Sequence, residues 1–421
     1  MDSGNACDDC PVAAGDEAET VGGIRGAAVF DGRRFVPAYV PIEGGRFLDP
    51  RPVGEGEPET AGPDAGGLGT DATLEVPDGF VIPGLVDIHF HGCMDRDFSD
   101  GDLAGLHEIA AFEASQGVTA ICPASMTLPT DVLDQAMRAA ARFVPAQGES
   151  SLVGINMEGP YISPDKVGAQ NPAYVRPASL EEFAGLQEAS GGLIRLIDLA
   201  PEIPGNLDFV REVAAGAAAG AFAGRQLGVH VSIAHTATDY DCAARAFELG
   251  ARHMTHLYNA MPKLQHRAPG PIAAGAERDD VSAELIADGV HVHPSMVRLA
   301  FNMFGAERIC LISDSLRACG LGDGTYELGG QLFTVAGPRA TIENGSLAGS
   351  VSTLMQCMRT AVTKMGIPLE LAVRAASANP ARAIGVDALH GSIAAGHVAD
   401  AVVLNRDLSV RHVVVRGRLV R

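Results

Sequence analysis

One recurrence organises most of the chain. From Val81 onward, apolar runs of strand length alternate with amphipathic stretches of helical period. The runs are Val81–Phe90, Val118–Pro123, Leu152–Met157, Ile194–Leu199, Val229–Ala234, His253–Leu257, Ala283–Ala287 and Ile309–Ile312. Between them, stretches such as Asp102–Gln116, Thr130–Phe143 and Tyr240–Leu249 carry apolar residues on one helical face. Nearly continuous apolar strands separated by helices are parallel strands, because crossover helices must cover the sheet faces. Eight such units predict an α/β fold, a (β/α)8 TIM-like barrel over residues 81–385.

The flanking pieces have a different period. Short alternating segments at Ala27–Phe30, Phe35–Ile42 and Leu74–Val76 precede the barrel, and Ile393–Ala395, Ala401–Leu404 and Val410–Val415 follow it. They predict a small β-sandwich domain formed from both chain ends, residues 25–80 and 386–421. Within the first part, residues 49–71 are rich in Gly, Pro and acid and predict an exposed loop. Residues 1–24 contain no Lys or Arg and several acids, which predicts a mobile acidic tail. Tyr326–Val335 and Ala340–Ile342 predict a hairpin inserted after the eighth strand.

Composition narrows the function classes. A formal charge of -21 leaves no basic stripe for nucleic-acid phosphates. It also means that an anionic substrate needs local Arg, Lys, His or backbone N–H donors. No apolar stretch is long and uncharged enough to span a membrane, and the N-terminus lacks a basic-then-apolar signal pattern, so a cytoplasmic enzyme is expected. Most of the eight cysteines, Cys122, Cys310 and Cys357 among them, lie in apolar runs and read as buried free thiols. Cys7 and Cys10 have C-x-x-C spacing but no second pair, and are not read as a zinc or redox site.

In such barrels, chemistry gathers where strands run into the following loops. The first run ends at His89 and His91, whose i, i+2 spacing points both imidazoles to one side of a strand. The third ends at Glu158, the fifth at His235, the sixth at His256, the seventh at His291 and the eighth at Asp314. Five of the thirteen histidines occupy these ends. Imidazoles with carboxylates suit Zn, Fe, Mn or Co at near-neutral pH.

With these residues the chain resembles the amidohydrolase superfamily and, within it, the N-acetylglucosamine-6-phosphate deacetylase family. The resemblance rests on Pro83-Gly84-Leu85-Val86-Asp87 with His89-x-His91-Gly92, on Met157-Glu158-Gly159-Pro160, and on Thr255-His256-Leu257-Tyr258-Asn259-Ala260-Met261-Pro262. Ile286-Ala287-Asp288-Gly289-x-His291, Ser313-Asp314, Asn379-Pro380-Ala381 and Ala399-Asp400 extend it.

That resemblance implies metal-dependent hydrolysis of N-acetylglucosamine 6-phosphate to glucosamine 6-phosphate and acetate. It implies one or two divalent metals per subunit, Zn or Fe first, then Mn or Co. Glu158, His235 and His256 match the ligands of the shared metal, and His89 and His91 match those of a second. Asp314 matches the residue that moves the proton from water to amine. Ala169, Gln170, Asn259, Ala260, His291, Leu347, Ala348 and Gly349 match substrate-binding positions. Arg267 matches an arginine that reaches the phosphate from a neighbouring subunit, which implies a homodimer. One position departs: Gln170 stands where many members have a histidine that polarises the scissile carbonyl. Gln170 donates a weaker bond, or a second metal takes over that polarisation, or the acyl or sugar preference differs.

Other readings differ in cheap observables. Related amidohydrolases that bridge their metals with a carboxylated lysine on the fourth strand are disfavoured, since Leu193–Pro201 contains no Lys. N-acetylgalactosamine 6-phosphate is the alternative substrate. A metal-free scaffold barrel is the alternative outside catalysis, although such chains typically lose ligands and every ligand position is filled in this one.

Overall fold

In the computed structural model, which describes residues 19–53, 72–216 and 228–421, the predicted β/α alternation is present. Leu85–Asp87, Val118–Ile121 and Ser151–Leu152 pair in parallel as one sheet. Ile155–Glu158, Ile194–Leu199, His230–Ile233, His253–Met254, Ser282–Ile286 and Ile309–Ile312 pair in parallel, in chain order, as a second. A parallel bridge between Ala124 and Asn156 links the two sheets. Beyond the last strand, the Asp314 N–H donates to the His89 carbonyl at 2.9 Å and the His91 N–H donates to the Ser315 carbonyl at 2.7 Å. The segments following the first and last strands are therefore hydrogen-bonded side by side.

The helices follow their sequence signals. Asp102 caps Leu103–Ser115 by accepting from the N–H groups of Ala104 and Gly105, and Asp239 caps Tyr240–Leu249 through the Cys242 N–H. Each cap satisfies N–H groups that have no partner within the helix.

The first apolar run is not one strand. Phe80–Pro83 pairs antiparallel with Ala401–Leu404, and only Leu85–Asp87 enters the parallel sheet. Gly84 makes the crossing: a Cβ there would lie 2.0 Å from Thr119 Oγ1. The third run is also divided, with Val153 and Gly154 between its two short strands.

Both chain ends meet in one nine-stranded sheet containing Val21–Phe30, Phe35–Glu43, Phe80–Pro83, Ala401–Leu404 and Val410–Val415. Ile24, Val40, Phe47, Val81, Ala401 and Val414 belong to an apolar cluster separate from the main core. Three boundaries differ from the sequence reading. Val21–Phe30 begins inside the expected tail, because Val21 and Ile24 bury their side chains in this cluster. Arg51–Pro52 pairs with the strand Phe35–Glu43 inside the expected loop. Ile393–Ala395 forms no strand; Ile393 is instead buried against the cluster. The remainder of the tail, with Cys7 and Cys10, and residues 54–71 of the loop lie outside the described residues.

The predicted hairpin is larger than expected. Gly324–Leu328, Gln331–Ala336, Arg339–Ile342 and Leu347–Gly349 form a four-stranded antiparallel sheet. Its last strand leads into Ser350, whose N–H donates to the Asp314 carbonyl at 2.8 Å. Among the described residues no helix is long and apolar enough to cross a membrane. The described cysteines are free, and all but Cys242 are buried.

Candidate active site

The ends of the parallel strands bring four predicted histidine ligands onto one carboxylate, Glu158. Glu158, 2% exposed, turns Oε1 toward His235 Nε2 at 2.9 Å and His256 Nε2 at 3.2 Å. Its Oε2 faces His91 Nε2 at 3.3 Å, and His89 Nε2 lies 3.6 Å from Oε1. Two groups result, His89–His91–Glu158 and Glu158–His235–His256, each with candidate ligand atoms within 4.8 Å of one another. Asp314 completes the ring, its Oδ1 3.5 Å from His91 Nε2 and 3.8 Å from His89 Nε2.

Hydrogen-bond chemistry shows what these atoms require. His235 Nδ1 lies 2.8 Å from the Lys166 carbonyl, which only accepts, so Nδ1 carries the hydrogen. In the neutral ring Nε2 then presents a bare lone pair. It faces His256 Nε2 at 3.1 Å and a carboxylate oxygen. Lone pairs converge in this way only around a proton or a cation. His89 Nε2 is likewise buried without a hydrogen-bond partner. The donor set of imidazoles and one shared carboxylate fits a divalent cation.

Without a cation, protons fill that role. Burial drives His91 down, but Asp314 and Glu158 outweigh it and push the imidazole up to about 10. Burial also opposes the charge of His89, yet Glu284 and Glu158 hold it well above the usual histidine range. Glu158 is held well below the usual carboxylate range, because the His89 charge and hydrogen bonds from the histidines overcome its burial. A divalent cation held by these residues would take the place of those protons.

The ligand positions are built at some backbone cost. His235, His256 and Asp314 have φ of 40°, 27° and 50°, in the left-handed region that side chains disfavour. Tyr258 and Ala260, at φ 78° and 48°, continue the strained turn after His256. Such positions persist where surrounding structure holds them and cluster at functional sites.

The remaining predicted residues fall into four groups. Gln170, 3% exposed, donates from Nε2 to Glu158 Oε2 at 2.7 Å, and its Oε1 accepts the Thr127 N–H at 2.6 Å. It therefore sits on the shared carboxylate, and the neighbouring Ala169 carbonyl accepts from Gln331 Nε2 at 2.9 Å. His291 is held by Asp288 at 2.7 Å, Asn259 folds its amide onto the carbonyls of His256 and Leu257, and the Ala260 carbonyl accepts the Thr236 N–H. Leu347, Ala348 and Gly349 lead directly into the backbone bonded to Asp314, and a Cβ on Gly349 would lie 3.0 Å from the Asp314 carbonyl. Arg267 is not brought into the cluster; it stands on an exposed run spanning residues 263–268.

Glu284, His253 and Asp87 are not strand-end residues of the sequence reading, yet they lie behind the candidate ligands. Each is buried, and Asp87 accepts from Ser313 Oγ at 2.6 Å and from the His89 N–H at 3.2 Å. Burial pushes Asp87 up to about 7 against those hydrogen bonds. A usable signal existed for Glu284: a carboxylate inside an apolar strand must find partners.

A model of the amidohydrolase family matches residues 80–420, which span every one of these ligands. The chain belongs to the amidohydrolase family. Among its amidohydrolase relatives, N-acetylglucosamine-6-phosphate deacetylase of Bacillus subtilis is 34% identical over 81% of this chain and 85% of its own length. N-acetylgalactosamine-6-phosphate deacetylase of Escherichia coli O157:H7 is 33% identical over 80% of this chain and 87% of its own. A solved structure of a Mycobacterium smegmatis N-acetyl-D-glucosamine-6-phosphate deacetylase variant, in complex with N-acetyl-D-glucosamine-6-phosphate, superposes with TM-score 0.83. It is 32% identical and the match covers 96% of this chain and 99% of that one.

Proposed function

We propose that this amidohydrolase removes the acetyl group from N-acetylglucosamine 6-phosphate, releasing glucosamine 6-phosphate and acetate. The observation that carries the reading is the convergence of four histidines on Glu158, with Asp314 beside two of them, in a chain similar to deacetylases over four-fifths of its length.

Glu158, His235 and His256 would hold one divalent cation, and His89 and His91, with Glu158 shared, a second. Zn or Fe suits these donors first, then Mn or Co. When bound, such a cation supplies Lewis acidity, easing the deprotonation of water and polarising a carbonyl. Asp314 is the catalytic residue: beside both His89 and His91, its carboxylate accepts the proton of the attacking water. It then returns that proton to the amine nitrogen as the C–N bond breaks. His291, steadied by Asp288, contacts the sugar or its acetamido group. Asn259, Ala260 and Leu347–Gly349 line the sugar phosphate.

The phosphate needs a cation from elsewhere, since the chain carries a net charge of -21 and the imidazoles of the cluster already face Glu158 and Asp314. Arg267, on the exposed run spanning residues 263–268, is read as crossing to the site of a second subunit, which makes the working form a homodimer. We read the two parallel sheets, joined through Ala124–Asn156 and His89–Asp314, as one closed (β/α)8 barrel. The sheet formed by both chain ends is read as its small companion domain, and the location as cytoplasmic.

A second reading places N-acetylgalactosamine 6-phosphate in the same site, supported by the similarity to the Escherichia coli enzyme. Acetate release from both epimers, with and without the 6-phosphate, separates the two. Faster turnover of the glucosamine epimer supports the first reading, and preference for the other epimer supports the second. Turnover independent of the phosphate counts against both.

A further inference from the structure

One carboxylate lies behind both groups of ligands. Glu284 stands within the strand Ser282–Ile286 and is fully buried. Its Oε2 accepts from His89 Nδ1 at 2.9 Å and from the His256 backbone N–H at 3.1 Å. Its Oε1 accepts from His253 Nε2 at 3.1 Å. His253 in turn reaches Ser282 Oγ through Nδ1 at 2.6 Å and touches no ligand of the centre.

This arrangement settles which nitrogen of His89 is available. An ionised carboxylate accepts and cannot donate, so the hydrogen of the neutral ring sits on Nδ1. Asn156 Nδ2, 3.4 Å from the same nitrogen, is itself a donor and cannot take that hydrogen. The lone pair of Nε2 is therefore aimed at Glu158 and Asp314, where it has no hydrogen-bond partner. The second contact acts on the other group. His256 has a φ of 27°, costly for a non-glycine residue, and Glu284 holds the N–H of that residue.

We propose that Glu284 is the positioning residue of the centre. It fixes the tautomer and aim of His89 and the backbone turn at His256, and so sets how tightly the His89–His91–Glu158 position holds a divalent cation. Carboxylates behind metal-bound imidazoles act in this way, and their loss costs about 10- to 100-fold in affinity. The inference rests on reading the centre as having two cation positions. It needs no substrate.

The test is equilibrium dialysis of the full-length chain, stripped of metal, against buffered free Zn2+, with bound zinc measured by elemental analysis. Wild type is expected to take two equivalents. In Glu284→Gln the amide can offer an N–H toward His89 Nδ1, which moves the ring hydrogen to Nε2. One equivalent is then retained and the second binds about 10- to 100-fold more weakly. His253→Gln leaves the Glu284–His89 bond in place, so it keeps both affinities near wild type. If Glu284→Gln does not fold, Glu284→Asp carries the test, because withdrawing the carboxylate from His89 is expected to cause the same selective loss. Wild-type affinity for both equivalents in a folded Glu284 variant overturns the proposal. So does a loss in His253→Gln equal to that in Glu284→Gln, or uptake of one equivalent by the wild type. A failed deacetylase assay leaves this measurement untouched, and the reverse also holds.

Discussion

Gln170 is clamped between the Thr127 N–H and Glu158: Oε1 accepts the backbone N–H at 2.6 Å while Nε2 donates to Glu158 Oε2 at 2.7 Å. Because the Thr127 N–H can only donate, the orientation of the amide is settled. Gln170 therefore commits one N–H to the carboxylate on which the histidines converge. Unlike an imidazole in its place, it carries no positive charge to compete with a cation. A buried hydrogen bond to a charged group contributes about 1.5–3 kcal/mol. Gln170→Ala is expected to lower kcat by about 10- to 100-fold while KM changes little. A rise in KM alone would instead make Gln170 a substrate contact.

Asp314, the proposed proton carrier, is separate from Glu158 and the histidines that would hold the cation. Asp314→Asn is expected to cost about 10²–10⁴-fold in kcat. Zinc content, measured on the same preparation, is expected to stay near wild type. Near-full turnover by this variant refutes the assignment.

Much of this site was legible in the residue order, for a physical reason. Parallel strands buried on both faces are written as uninterrupted apolar runs, so a polar residue ending one stands out. Glu158, His235, His256 and Asp314 were readable in that way. Other features depend on packing between distant segments. The division of the first run at Gly84 reflects Thr119, a residue of another strand, and no local pattern announces it. The role of Gln170 depends on Thr127, and that of Glu284 on His89 and His253, which strand order alone brings together.

The Asp288–His291 pair gives a pH signature. Burial drives His291 down, but its hydrogen bond to Asp288 and the charges of Asp288 and Asp314 raise it above 6.5, with Arg339 opposing. Its contribution to stability is thus fully present below 6.5 and is lost as pH rises through the raised value. Burial raises Asp288, but His291 and backbone N–H groups bring it below 3.8, so its contribution is lost as pH falls through that lowered value. The pair is complete between about pH 4 and 6.5. The Tm difference between wild type and Asp288→Asn, both metal-free, is expected to be greatest in that window and to shrink toward alkaline pH. A difference that grows toward alkaline pH contradicts this assignment.

Arg267 lies on the exposed run outside the cluster, so its effect should depend on the phosphate and on a partner subunit. Arg267→Ala is expected to raise KM for the 6-phosphate substrate about 10- to 100-fold, as for lost charge-assisted bonds. Turnover of the unphosphorylated amide should not change. Mixed dimers of Arg267→Ala with Asp314→Asn should recover one working site, since each subunit supplies what the other lacks. Absence of recovery places Arg267 in its own subunit's site or in neither.

The proposed reaction requires a divalent cation at the Glu158 centre for acetate release from N-acetylglucosamine 6-phosphate. The most direct measurement follows acetate release by the full-length protein after chelation, with metal content recorded on the same sample, and again after adding back Zn2+ or Fe2+. Acetate release is expected to be lost with the metal and to return with it, and metal uptake is expected to release protons. Full-rate acetate release by verified metal-free protein, or none from the fully loaded protein, would contradict this requirement.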